Sequence, residues 1–243
     1  SVDISGKLTK TSEFIELHAN DFKIKVAQIN GQIAKVTKGK HDILKLHIED
    51  PLSGIVNIHI EFEGVVTEAM HGMYPCYFNH DGKRKKLIAT QFESHHAREV
   101  FPCIDEPAAK ATFDLTLTTE TGIEVLSNTP VKTQLTKNER LTTIFETTPK
   151  MSTYLLAFVT GEMIYKEATS KRGVVVRSYA SAAQKPEFLD FSVSEAVKYI
   201  DFYEDYFEVP YPLEKCDQVA LPDFESGAME NWGLITFREQ TLL

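Results

Sequence analysis

Phe22-Lys23-Ile24-Lys25-Val26-Ala27-Gln28-Ile29 is followed by Asn30-Gly31 and then by Gln32-Ile33-Ala34-Lys35-Val36. Apolar and polar side chains alternate through the first arm, which is the two-residue period of a strand with one face in a core. Asn-Gly tolerates the positive φ that a type I′ turn needs at both central positions, so the run predicts a β-hairpin. The same alternation recurs over residues 43–48 and 55–62, on either side of Asp50-Pro51-Leu52-Ser53-Gly54, whose Pro and Gly predict a turn. Further short strands are predicted over 86–92, 112–118, 123–127, 141–147, 154–164 and 174–179. Strands at this spacing with no helix between them predict a mainly β fold, an antiparallel β-sandwich or saddle-shaped sheet.

The pattern changes near Ala180. Val193, Ala196, Val197, Ile200, Tyr203 and Phe207 recur at helical spacing, with Pro186 before them and Pro210 and Pro212 after, which predicts one long amphipathic helix. Asp217 to Leu221 reads as a strand, residues 222–226 as a loop, and Leu234-Ile235-Thr236-Phe237 as another strand. The expected division is a β domain over 1–180 and the first α and β elements of a second, mixed domain over 181–243.

Between those last two strands stands Gly227-Ala228-Met229-Glu230-Asn231-Trp232-Gly233. Gly227 and Ala228 have no bulky Cβ substituent, so a second backbone can approach and pair here as an added strand. Glu230 would then present its charge beside that strand, and Met229 an adaptable apolar surface. As an isolated string the same residues also describe a Gly-rich turn with a solvated Glu. Gln91 and Glu93 are two residues apart and share one face if their segment is extended.

Composition removes several classes of function. Of 243 residues 42% are hydrophobic and 25% charged, which is ordinary for a globular protein. A formal net charge of −9 repels a phosphate backbone, so nucleic acid is not an expected partner. The one basic run, Lys83-Arg84-Lys85-Lys86, follows His80-Asp81-Gly82 and reads as a solvated hairpin tip. No apolar run approaches the ~20 residues that span a bilayer, and no membrane partner is expected. Cys76, Cys103 and Cys216 show no metal or redox spacing, which fits a reducing, cytoplasmic setting. Nothing near Cys103 would lower its pKa, so no nucleophile is expected there. No two of the eight histidines are four apart, so no His-Glu-x-x-His motif is present. His95-His96 is read as a loop or surface pair, since neighbours on a strand point to opposite faces. No metal ligand is expected in this chain.

Four blocks in order resemble the aminopeptidase N family of zinc metallopeptidases, the gluzincin aminopeptidases. They are Thr90-Gln91-Phe92-Glu93 with Ala97-Arg98 and Phe101-Pro102-Cys103-Ile104-Asp105-Glu106-Pro107, then Lys150 to Phe158, then Tyr211-Pro212-Leu213-Glu214-Lys215, then GAMENWG with Leu-Ile-Thr-Phe-Arg-Glu. Where the family pattern has proline after the glutamate, this chain has Ser94. The resemblance implies a β domain followed by the start of a thermolysin-like catalytic domain. It implies that Gln91 lines the first specificity subsite and that Glu93 and Glu230 grip the free amino terminus of a peptide. Met229 would cushion the first side chain, and Gly227, Ala228 and Asn231 complete the substrate-binding set. It places the zinc and its ligands in a segment following Leu243, so the chain is expected to be the N-terminal part of the enzyme, trimmed at both ends, with the remainder of the catalytic domain as its partner. A non-catalytic peptide-binding scaffold is the alternative. Ala228 argues against a related epoxide-opening branch that has Gly-Gly-Met-Glu-Asn.

Overall fold

The structure, a computed structural model, describes all 243 residues. The first sheet holds β1 (Val2–His18), β2 (Lys23–Ile29), β3 (Gln32–Ile33), β4 (Lys35–Lys38) and β5 (Ile43–Glu63). The predicted hairpin is present, with Asn30 at φ +50°, Gly31 at φ +81°, and Ile29 opposite Gln32. Its second arm is only two residues long, after which β4 pairs with β5 instead. Alternation buries Leu17, Ile29, Leu44, Leu46, Ile58 and Ile60 on one face.

Asp50 to Gly54 makes no turn. It lies inside the 21-residue β5, antiparallel to the 17-residue β1. On the other side of β5, the β4 ladder ends at His47 and the β2 ladder begins at Ile58. Pro51 faces no ladder partner, so its missing N–H breaks no sheet hydrogen bond. Gly54, at φ +80°, sits beside a register shift in β1 between Leu8 and Ser12, where the strand pair bends without reversing.

Across this pair His59 Nδ1 stands 2.7 Å from Asp3 Oδ1. The hydrogen bond to Asp3 raises the His59 pKa above its ordinary 6.5. A raised pKa means that the folded state holds the proton more tightly. The contribution is complete below the unfolded value and is lost as pH rises through the folded one. In an NMR titration His59 is expected to titrate above 6.5 in the wild type and lower in Asp3→Asn. Identical curves would show that the pair does not form in solution.

Strands β6 (Gly72–His80) and β7 (Lys83–Gln91) form the hairpin whose tip the basic run predicted, with Asp81 at φ +50° and Gly82 at φ +70°. A three-stranded sheet holds β8 (Thr116–Glu120), β10 (Val131–Lys137) and β11 (Arg140–Phe145). Strands β9 (Glu124–Ser127) and β12 (Phe158–Gly161) extend the β6–β7 sheet in the order β6-β7-β12-β9. The run 154–164, expected as one strand, is instead a 3₁₀ turn at Thr153–Leu155, then β12, then the start of another sheet.

That last sheet is mixed and runs β13 (Met163–Thr169), β14 (Val175–Ser181), β15 (Lys215–Leu221), β17 (Leu234–Arg238), β16 (Ala228–Met229). β14, β15 and β17 are parallel, and β16 is an antiparallel edge. The predicted helix, α1 (Leu189–Phe207), connects β14 to β15 and ends at Glu208 in the left-handed region. The sheet begins at Met163, so a boundary at Ala180 falls inside β14. Alternation marks β13 and β14 as strands but does not say which sheet they join. Val193 and Ile200 are buried as their spacing predicts, and so is Leu189 one turn before them, whereas Tyr203 and Phe207 are 53% and 62% exposed. With Phe191, Tyr199 and Val209 they line an open apolar groove of about 820 Å³.

The largest core has 21 buried residues and joins both parts of the chain. Tyr74, Leu87, Phe92, Leu156 and Phe158 meet Val219, Leu221, Phe224, Met229 and Leu234 there. At about 25 cal/mol per Å² of buried apolar surface, this shared core is what fixes the mixed sheet against the β domain.

Candidate functional site

β16 is the outermost strand of the mixed sheet, and its one ladder is to β17, with Ala228 opposite Phe237 and Met229 opposite Thr236. Its other edge has no strand. Gly227 and Ala228 are exposed there, and a Cβ added at Gly227 would meet nothing within 4 Å. An extended backbone has room to add itself to this edge. Strand alternation turns Ala228 and Glu230 outward and Met229 inward, to 1% exposure in the large core. The apolar cushion expected of Met229 is therefore not open; the residue holds the edge strand down. Asn231 is also buried, and its Nδ2 donates to Thr236 Oγ1 at 3.3 Å, which closes the turn from β16 to β17.

The turn is held from outside by residues that motif reading assigned no role. Lys215 Nζ donates to the carbonyls of Ser127 and Gly233, each at 2.7 Å, and pairs with Asp217 Oδ2 at 2.7 Å. Burial lowers the Lys215 pKa and raises that of Asp217, while each group's charge opposes the shift in the other. Asn128 Nδ2 donates to the carbonyls of Leu155 and Trp232, both at 2.8 Å, and Asn128 Oδ1 accepts the Ala157 N–H. Arg238 Nε donates to the Phe224 carbonyl at 3.1 Å, and its guanidinium also bonds the Glu225 carbonyl. Asp223 accepts the Tyr77 N–H at 2.7 Å. The β domain thus fixes both ends of the signature. Neither Lys215 nor Asn128 carries a local sequence signal of this role, because the carbonyls they hold lie far along the chain.

Gln91 ends β7 opposite Gly72, half-buried, and its Oε1 is buried with no hydrogen-bond partner. Phe92 is 1% exposed in the same core as Met229. Glu93 and Glu230 are the exposed residues that directly follow these two anchors. The segment Phe101 to Pro107 is tied down structurally, with Arg98 Nε donating to Asp105 Oδ2 at 3.0 Å and Cys103 bridged to His18. Burial pushes the Cys103 thiol pKa well up and that of Cys76 to about 12, so neither offers a thiolate. One grouping that sequence spacing hid is His71, His96 and Glu99, in which 28 residues separate the first from the last. No His-Glu-x-x-His helix exists here, so the ligand set that the resemblance implies for a catalytic zinc is not offered by these residues.

An antiparallel β domain thus shares its core with a mixed sheet whose outer edge strand is unpaired on one side, with Glu230 exposed beside it. The Peptidase M1 N-terminal domain matches residues 1–155 and the Peptidase family M1 domain matches residues 191–243. The chain belongs to the peptidase M1 family. It is 52% identical over 200 residues to an aminopeptidase N of Lactococcus lactis subsp. lactis, covering 81% of this chain and 24% of that protein. It is 42% identical over 233 residues to an aminopeptidase N of Lactobacillus delbrueckii subsp. lactis, covering 95% and 27%. A puromycin-sensitive aminopeptidase of Caenorhabditis elegans is 38% identical over 254 residues, covering 100% and 26%. The chain spans about a quarter of the length of these relatives.

Proposed function

We propose that this chain is the part of a zinc aminopeptidase that recognises the free amino terminus of a peptide. The observation that supports this most is the open β16 edge, where Gly227, Ala228 and Glu230 are exposed and whose anchor Met229 shares a core with Phe92, between Gln91 and the exposed Glu93. In this reading the peptide adds as a strand along Gly227 and Ala228, Gln91 borders its first residue, and Glu93 and Glu230 take its ammonium group. The metal that activates water is held by other parts of the enzyme, and no residue here is given a step in that chemistry. The aromatic face of α1 is where the remainder of the catalytic domain packs, since a groove with Phe191, Tyr199, Tyr203 and Phe207 exposed is a large apolar surface to leave in water. We place the division between the two parts ahead of Met163, and the protein in the cytoplasm, where its three buried thiols stay reduced.

An NMR titration of the chain tests the recognition role. A short leucyl peptide with a free amine is expected to shift the Gln91 side-chain amide and the Gly227 and Glu230 backbone signals. Its acetylated counterpart should leave them unmoved, and neither should be hydrolysed. Equal shifts with both peptides would remove the amine-binding role, and sustained hydrolysis by the purified chain would remove the division of labour.

A further inference from the structure

We propose that His71, His96 and Glu99 form a binding site for a borderline divalent transition metal, of which zinc is the probe of choice. This departs from the sequence-based expectation that no residue of the chain holds metal. One ligand atom from each of the three lies within 4.8 Å of the others. His71 Nδ1 is 2.7 Å from Glu99 Oε2, and His96 Nδ1 is 2.8 Å from Glu99 Oε1. Bonds of about 2.0–2.2 Å to nitrogen and oxygen put tetrahedral ligands roughly 3.3 Å apart. Opening these two contacts by about half an ångström would admit the ion. In the tautomer that donates from Nδ1, each ring gives its Nδ1–H to the carboxylate. On binding, that proton moves from Nδ1 to Nε2 of the same ring or leaves to solvent, and the lone pair of Nδ1 is given to the metal.

Several features hold the donors in place beforehand. The rings of His71 and His96 stack at 4.1 Å and 29°, and His95 stacks on His96 at 4.8 Å. Glu99 is pressed against the backbone of Gly72, where an added Cβ would lie 2.6 Å from Oε2. The Glu99 N–H donates to the His96 carbonyl, and the His96 N–H donates to the Phe92 carbonyl at 2.9 Å. Two imidazoles and one carboxylate select zinc, cobalt, nickel or copper over calcium and magnesium, which prefer all-oxygen sets. Three protein ligands leave a fourth position, and a cavity of about 310 Å³ bordered by His71 and Glu99 gives water and ions access to it. With side chains of His71, His96 and Glu99 at 38%, 23% and 20% exposure, the ion should exchange readily and be stripped by chelators. Bound, it would fasten the start of β6 to the turn that follows Glu93.

The test uses the chelator-treated chain and calorimetric titration with zinc, repeated with cobalt for its visible bands. One equivalent per chain is expected. His71→Gln and Glu99→Gln should each weaken binding by at least about tenfold, because removing even an outer partner of a ligand costs that much. His95→Gln, which keeps all three donors, should bind as the wild type does. Amide exchange over residues 92–99 should slow on adding zinc to the wild type and not to Glu99→Gln. Long-range nitrogen NMR reads the ligands directly, and the ring signals of His71 and His96 should move, with at most a small shift at the stacked His95 and none at the other five histidines. Absence of uptake by the wild type, unchanged affinity in both variants, or ligation shifts at histidines other than His71 and His96 and their neighbour His95 would each overturn the site.

Discussion

Gly233→Ala is expected to destabilise the chain by about 3–5 kcal/mol, the sum of a non-glycine residue forced into the left-handed region and an overpacked contact. Gly233 has φ +72°, and a Cβ built on it would lie 2.1 Å from the Asn128 carbonyl oxygen. Neither side can retreat cheaply. Asn128 is held by three hydrogen bonds through its side chain, to Leu155, Ala157 and Trp232, and the Gly233 carbonyl is held by the buried Lys215 ammonium. Moving the turn away would strip the Gly233 carbonyl from a cation that has almost no water around it. Gly227→Ala is the control, because nothing stands within 4 Å of its added Cβ and its φ is not positive. That change should stay within about 0.5 kcal/mol, as unconstrained surface substitutions do. Urea unfolding of the two variants beside the wild type measures the contrast. If Gly233→Ala unfolds at the wild-type midpoint, the contact between residues 128 and 233 does not clamp the signature in solution.

The features legible in the sequence are those decided within a few residues. Asn30-Gly31 and Asp81-Gly82 make the turns their φ tolerance allows, and α1 has the period and flanking prolines of a helix. Pro51 and Gly54 misled because a chain reversal and a bulge use the same residues; only the distant partner β1 makes the segment a strand. Met229 misled for a related reason, since the motif gives its side chain no direction until pairing with β17 sets the alternation. Tyr203 and Phe207 follow the helical stripe but face a groove, which periodicity cannot distinguish from a core. The roles of Lys215 and Asn128, whose carbonyl partners are 18 to 104 residues away, could not be found from spacing at all. Glu93 and Glu230 were singled out by the resemblance alone, and what the fold adds is that both are exposed and directly follow a buried residue, Phe92 and Met229.

In the complete aminopeptidase proposed above, Glu230→Gln is expected to lower kcat/KM on free-amine peptides by about a hundredfold, the ~2–3 kcal/mol typical of losing a charge-assisted bond. An exopeptidase has to measure from the chain end, and the mark of that end is an ammonium group with a pKa near ~8. A carboxylate 4 Å away attracts it by up to ~4 kcal/mol at an effective dielectric of about 20, before desolvation is subtracted, so the smaller figure is what survives. Glu230 is exposed, and no side-chain hydrogen bond or ion pair ties it to the fold. Glutamine should therefore fit without a change in melting temperature, and a loss of activity would report binding and not damage. Acetylation separates the two explanations further. Acetylated peptides lack the cation, so they should be poor substrates for both proteins, and Glu230→Gln should cost almost nothing extra on them. A hundredfold loss on free amines with near equality on acetylated ones assigns Glu230 to the ammonium. An equal loss on both would mean that the residue acts on the peptide backbone or on the shape of the edge instead.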